Sequence, residues 1–244
     1  MIPKTIHYCW FGGNPLSSLA LQCIASWEKF CPDWEIIEWN ENNFDVQQNT
    51  YMREAFEAKK WAFVSDYARL WVLVNCGGMY LDTDCELVKP IDRFLNFEAV
   101  SGFESDSRIP TGIMGSRKGH PFFVELLKRY DNRRFIKWNG SFDTTTNTKD
   151  ITKACLARGL VLNNEKQTIC GFTLFPRDYF CPKSAVSGSM EAFTENTHAI
   201  HHFAGSWGAP KTKIERMLSP IIKIPEQTLR WWVIKPIKKW LKVS

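Results

Sequence analysis

Nothing in the 244 residues approaches the roughly 20 consecutive apolar positions that a membrane-spanning helix needs. The opening Met1-Ile2-Pro3-Lys4 lacks the basic start and apolar core of a secretory signal, so a cytoplasmic location is expected. None of the eight cysteines lies in a Cys-x-x-Cys pair, which argues against a structural zinc site and a thiol redox motif. Several sit in apolar runs and read as reduced, buried thiols. No recognised nucleic-acid motif accompanies the net charge of +5, and no nucleic-acid partner is expected. With 44% hydrophobic, 14% aromatic and 23% charged residues, the composition excludes a largely disordered chain.

The charge is unevenly placed. Residues 211–244 carry +7, leaving −2 on residues 1–210, so a nearly neutral body of 1–210 is followed by a basic extension over 211–244. That extension mixes Trp231, Trp232, Ile237, Trp240 and Leu241 with lysines, a composition that predicts a helical segment attracted to an anionic membrane surface.

The body reads as an α/β domain. Lys4 to Phe11 is β-branched and aromatic and ends at Gly12-Gly13, which predicts a first buried strand with a backbone open to close approach by a ligand. Leu16 to Phe30 then predicts a helix and Trp34 to Trp39 a second strand, the opening of a parallel sheet whose ligands bind at the strands' C-terminal edge. Tyr51–Lys60 and Trp61–Asn75 predict helices. The second is apolar apart from Asp66 and Arg69, which three-residue spacing puts on one face. After Cys76-Gly77-Gly78, the run Met79 to Leu81 predicts a buried strand.

That strand leads into Asp82-Thr83-Asp84. Treated as a continuing strand, alternation puts both carboxylates on one side. Two adjacent carboxylates repel unless a cation lies between them, and an oxygen-rich spot suits a hard divalent ion such as Mg²⁺ or Mn²⁺. Phe97–Phe103, Thr111–Ser116 and Thr168–Phe175 predict further strands; Pro121–Tyr130 and Ile151–Gly159 predict helices. Gly112 and Gly115 read as points of close approach for substrate. Phe135 to Asp150 reads as a long polar loop on the acceptor side. Near the end of the body, His198, His201 and His202 cluster before Phe203-Ala204-Gly205-Ser206-Trp207, and imidazole is a common ligand of Mn²⁺-class metals.

Taken in order, Ile2–Gly13, Ser65-Asp66-Tyr67-Ala68-Arg69, Gly78–Asp84 and His201–Trp207 resemble the Och1-like and capsular-polysaccharide glycosyltransferases of family 32. The resemblance implies a GT-A fold, a Rossmann-like mixed sheet flanked by helices, and retaining transfer of a hexose from a nucleotide sugar. It places Trp10 on the nucleobase of a donor expected to be UDP-linked, and Asp66 and Arg69 on sugar hydroxyls and the phosphate side. It gives Asp82 and Asp84 to Mn²⁺ or Mg²⁺ on the diphosphate, with Asp82 also near the ribose or sugar. The His-Phe-x-Gly pattern favours His202 over His201 as the further metal ligand, and Ser206 and Trp207 would close over the diphosphate. The implied acceptor is a glycan, expected to be lipid-linked, in capsule, O-antigen or other surface-polysaccharide synthesis. Work at the inner face of the plasma membrane follows as an expectation. Two rivals remain: a non-catalytic sugar-nucleotide binding subunit, and an Asp-x-Asp phosphohydrolase, which Glu86 disfavours by occupying the position of the expected Thr or Val.

Overall fold

A computed structural model describes residues 1–105 and 108–205. The expected roles of Ser206 and Trp207, the boundary at 210 and the basic extension 211–244 lie outside the described residues.

In chain order the elements are β1 (Thr5–Cys9), α1 (Ser18–Phe30), β2 (Glu35–Trp39), α2 (Thr50–Glu57), α3 (Trp61–Asn75), β3 (Gly78–Leu81), β4 (Cys85–Leu87), β5 (Ala99–Gly102), β6 (Ile113–Ser116), α4 (Pro121–Lys128), α5 (Asn147–Leu156), β7 (Gln167–Ile169), β8 (Phe172–Phe175) and β9 (Ala199–His201). Seven strands form one sheet in the order β2-β1-β3-β6-β5-β8-β7, and β4 pairs antiparallel with β9 apart from it. β2, β1 and β3 run parallel, β6 runs against both β3 and β5, and β5 lies parallel to β8. The sheet is therefore mixed, as the resemblance implied.

Strand alternation divides the core into two apolar layers. Ile6, Tyr8, Met79, Leu81, Val100 and Ile113 pack with Cys23 and Trp27 of α1 on one face. Cys9, Tyr80, Ala99, Met114, Phe172 and Leu174 meet α2, α3, α4 and α5 on the other. Helices thus cover both faces. The ends of α1 and α2 follow local chemistry: the Ser17 and Asn49 side chains accept the N–H groups of Ala20 and Met52, satisfying donors that a helix start leaves free.

Three local expectations change. Thr168–Phe175 is two antiparallel strands, because Cys170 and Gly171 both adopt positive φ (51° and 79°) and turn the chain. The polar loop ends earlier than expected, since α5 starts at Asn147. Asp82 to Asp84 is a turn rather than strand: the Cys85 N–H donates to the Asp82 carbonyl at 2.9 Å, folding the chain back into β4.

Candidate active site

β1 and β3 are parallel neighbours, so Trp10 and Asp82 both leave the sheet at its C-terminal edge. α3 runs into β3, which brings the start of α3, with Asp66 and Arg69, to that same edge. Arg69 is almost fully buried. Its guanidinium lies 3.1 Å from Asp82 Oδ1 and 3.6 Å from Asp66 Oδ1, and donates to the Thr111 carbonyl at 2.8 Å. It also lies over the Tyr80 ring at 4.8 Å, while the Tyr80 hydroxyl donates to Asp82 at 2.9 Å. Burial opposes a charge here, but Asp82, Tyr80 and Asp66 outweigh it and raise the Arg69 pKa above its ordinary value.

Asp66 has the converse balance. It is completely buried, and desolvation raises its carboxyl to about 7 against the opposing pull of Arg69 and the Asn147 N–H. Asn147 holds it twice, the backbone N–H donating to Oδ2 at 3.1 Å and the side-chain amide to the Asp66 carbonyl at 2.6 Å. The Tyr130 hydroxyl donates to Asn147 Oδ1 at 2.7 Å, so the start of α5 is joined to α3 through buried polar contacts. Oδ1 of Asp66 makes no hydrogen bond and is closed to solvent.

The second aspartate has a different partner. Asp84 Oδ1 lies 3.3 Å from His201 Nε2, and its Oδ2 accepts the Ala204 N–H at 2.8 Å. Burial disfavours the Asp84 charge, yet His201 and these hydrogen bonds prevail and lower the carboxyl to about 2. His201 is raised well above the usual imidazole value, Asp84 overcoming the burial that acts the other way. A Cβ built on Gly112 would lie 3.0 Å from His201 Nε2 and 3.1 Å from Asp82 Oδ2. Asp82 and His201 therefore close on the face of Gly112 and leave no room for a larger residue there, and Asp84 joins them through His201.

The donor chemistry of Asp82, Asp84 and His201, two carboxylates and an imidazole, suits a divalent ion of the Mn²⁺ class. His201 would have to give up its proton to such an ion, since only the neutral imidazole ligates. Ligand atoms of Asp84, Cys85 and His201 lie within 4.8 Å of one another. Burial raises the Cys85 thiol well above its usual pKa, however, and its Sγ donates to the Gly112 carbonyl, so it stays protonated and is a poor ligand.

The expectation for His202 is corrected. It follows the last residue of β9, and its side chain leaves Asp84 for Glu86, Nε2 meeting the Glu86 carboxylate at 2.8 Å while Nδ1 faces Lys183. His201 takes the place beside Asp84. Trp10 sits half-buried at the end of β1, its indole N–H donating to the Asn14 carbonyl at 2.6 Å. The adjacent Gly12 does not present open backbone, because a Cβ there would lie 2.6 Å from the indole of Trp61. Gly115 serves packing, with Met79 Sδ 2.2 Å from its imagined Cβ, whereas Gly112 belongs to the site. Tyr80, Thr111 and Asn147 were missed in the sequence. The only cue to Asn147 was its place in the run Thr144-Thr145-Thr146-Asn147-Thr148, which read as loop.

Residues 17–101 match the family described as the glycosyltransferase sugar-binding region containing a DXD motif. The chain is similar to inositol phosphoceramide mannosyltransferase 3 of Schizosaccharomyces pombe, 27% identical over 131 residues, covering 52% of this chain and 36% of that protein. It is also similar to mannosyl phosphorylinositol ceramide synthase SUR1 of Saccharomyces cerevisiae, 30% identical over 114 residues, covering 44% and 30%. The chain spans about a third of the length of these curated relatives. Among solved structures, the PaToxG glycosyltransferase superposes with a TM-score of 0.49 at 18% identity, over 64% of this chain and 68% of that one.

Proposed function

We propose, from the premise that residues 17–101 are a glycosyltransferase sugar-binding region with a DXD motif, that the protein is a metal-dependent, retaining hexosyltransferase using a nucleotide sugar. The observation that carries this reading is the meeting of Asp82 and His201 at Gly112, with Asp84 paired to His201 and Arg69 behind Asp82. Breaking a sugar–phosphate bond develops negative charge on the leaving diphosphate and positive charge on the sugar ring. A divalent ion held by Asp82, Asp84 and His201 would supply Lewis-acid stabilisation of that leaving group. Arg69, locked by Asp82 and the Thr111 carbonyl, adds a fixed positive charge at the same edge. Asp66 is closed to solvent with Oδ1 3.6 Å from Arg69, and its proposed part is to position Arg69 beside Asp82. Trp10 is assigned to the nucleobase, and Ser206 with Trp207 to the diphosphate.

The donor remains a proposal on two sides. The family resemblance favours a UDP-linked sugar, whereas the names of the curated relatives specify mannosyl transfer to a phosphoinositol ceramide. A lipid-borne acceptor is common to both readings, in surface-glycan or glycolipid synthesis, and the proposed place of work is the inner face of the plasma membrane. The test is donor hydrolysis and binding across UDP-galactose, UDP-glucose, UDP-N-acetyl sugars and GDP-mannose, with Mn²⁺ or EDTA, for wild type and Asp84→Asn. Turnover of one donor, lost with EDTA and in Asp84→Asn, is the expected result. Metal-dependent binding with no turnover of any donor, even with lipid acceptors supplied, would turn the reading to a binding subunit.

A further inference from the structure

The segment 135–143 is a small hairpin packed on the start of α3. Ile136 bridges Phe142, the Lys137 N–H donates to the Ser141 carbonyl at 2.8 Å, and the Gly140 N–H to the Lys137 carbonyl at 2.9 Å. Asn139 Oδ1 braces the turn by accepting from the Ser141 N–H and hydroxyl. Its base is built into the protein: Phe135 is buried against Tyr51 and Phe63 and stacks on Phe142 at 4.9 Å. Glu54 accepts the N–H groups of Phe135 and Ile136, and Arg133 clamps Asp143 at 2.7 Å and Asp150 at 2.9 Å. On this braced tip Trp138 is 98% exposed, with Ile136 and Phe142 also in solvent at 37% and 38%. The indole is thus carried on a braced turn.

The charge around it has one sign in surplus. Residues 54–60 and 133–143 contain Lys59, Lys60, Arg133, Arg134 and Lys137 against Glu54, Glu57 and Asp143. Glu54 is paired with Arg134, and Arg133 with both Asp143 and Asp150, which leaves Lys59, Lys60 and Lys137, all exposed, against Glu57 within these two segments. Lys60 Nζ stands 5.8 Å above the Phe142 ring, so a cation and the apolar face share one surface. Amphipathic aromatics flanked by lysines suit a bilayer–water interface, with the ring at headgroup level and the ammonium groups on anionic lipid.

We propose that the 135–143 hairpin docks on an anionic lipid bilayer, with Trp138 as its interfacial anchor and Lys59, Lys60 and Lys137 as its electrostatic contacts. Placement gives the docking a consequence. The hairpin lies over the start of α3, and five residues beyond Phe142 the chain reaches Asn147, which holds Asp66. A bilayer seated on the hairpin therefore faces the Asp66 side of the site, where a lipid-borne acceptor has to arrive. That consequence rests on the proposed transferase reading; the docking itself does not.

The test uses the full chain with extruded vesicles of phosphatidylcholine alone or mixed with phosphatidylglycerol. Trp138→Ala is expected to lower partitioning onto the mixed vesicles by about tenfold, from the loss of a partly inserted ring. Lys137→Ala is expected to lower it about fivefold, with the deficit vanishing on neutral vesicles. Quenching by brominated lipid, compared between wild type and Trp138→Phe, isolates residue 138 from the other tryptophans and is expected to show selective loss of a quenched component. Unchanged thermal unfolding verifies that each variant is folded. Equal partitioning and equal quenching in wild type and variants would overturn the proposal. So would a residue-138 signal that answers a soluble neutral oligosaccharide but no vesicle, since the ring would then be a sugar-stacking surface. Donor turnover plays no part in these readouts, so failure of the docking and failure of the transferase reading are separable.

Discussion

Replacing Asp66 by Asn should stabilise the protein at alkaline pH while loosening the hold on Arg69 that the proposed donor site needs. The carboxyl is raised from 3.8 to about 7, chiefly by burial. A carboxylic acid with a raised folded-state pKa is bound to its proton more tightly in the folded chain than in the unfolded one. Its stabilising contribution is complete below the unfolded value and is lost as pH rises through the folded value. With about 1.36 kcal/mol per unit, a shift of about three units amounts to about 4 kcal/mol lost between about pH 4 and pH 7. The asparagine amide is isosteric, keeps an oxygen for the Asn147 N–H and does not titrate. The stability of Asp66→Asn relative to wild type should therefore rise by about 2.5 kcal/mol between about pH 5 and pH 8. Urea unfolding of both proteins with EDTA and without donor measures it, since groups common to both cancel. A difference that stays constant across that range, or a wild type that gains on the variant with rising pH, would refute the argument that burial outweighs Arg69 at Asp66. Stability gained while donor binding is lost would identify the buried carboxylate as a strained functional group.

Asn147→Ala removes both contacts of its side chain, the donation to the Asp66 carbonyl and the acceptance from Tyr130, and strands the Tyr130 hydroxyl in the core. A loss of about 2–4 kcal/mol by denaturant titration is expected, and a loss near zero would contradict the coupling of α5 to α3. Gly112→Ala puts a methyl group about 3 Å from His201 and Asp82 and should weaken Mn²⁺ binding by calorimetry along with about 1–3 kcal/mol of stability. Unaltered Mn²⁺ affinity in a folded Gly112→Ala protein would show that the two side chains do not share the site.

Much of this arrangement was legible because it is written locally. The apolar run of α3 with its two interior charges, the strand of Met79 to Leu81 and the helix–strand alternation of the first half all follow from periodicity, and the elements formed within a few residues of their expected bounds. Long-range pairing was not legible. β4 and β9 are three residues each, too short to show alternation, and they meet across more than a hundred residues. That pairing is what decides between the two histidines, because the register of Cys85 with His201 turns one imidazole to Asp84 and the next to Glu86. Asn147 was hidden for a similar reason. Its role depends on a contact with Asp66 across 81 positions, and nothing in a threonine-rich run announces such a partner. Gly112 and Gly115 look alike in sequence and differ in what faces them, the His201 and Asp82 side chains or the thioether of Met79.

The turn at Asp82–Cys85 alters how the two carboxylates coexist. Had the strand continued, both would have lined one face with their charges in mutual repulsion, and a bound cation would have been the only relief. In the turn each is compensated by the protein itself: Asp82 by Arg69 from α3, Asp84 by His201 from β9. The two cations come from elements on either side of the turn, so the acidic pair is held open rather than collapsed. Buried ion pairs of this kind add little net stability, because desolvation offsets their attraction, but removing one partner is severe, at about 3–5 kcal/mol. The arrangement thus reads as a device for position more than for stability. It keeps two carboxylates separated before any ligand arrives, so that, on the proposed transferase reading, the geometry needed to hold a metal diphosphate does not have to be assembled by the diphosphate.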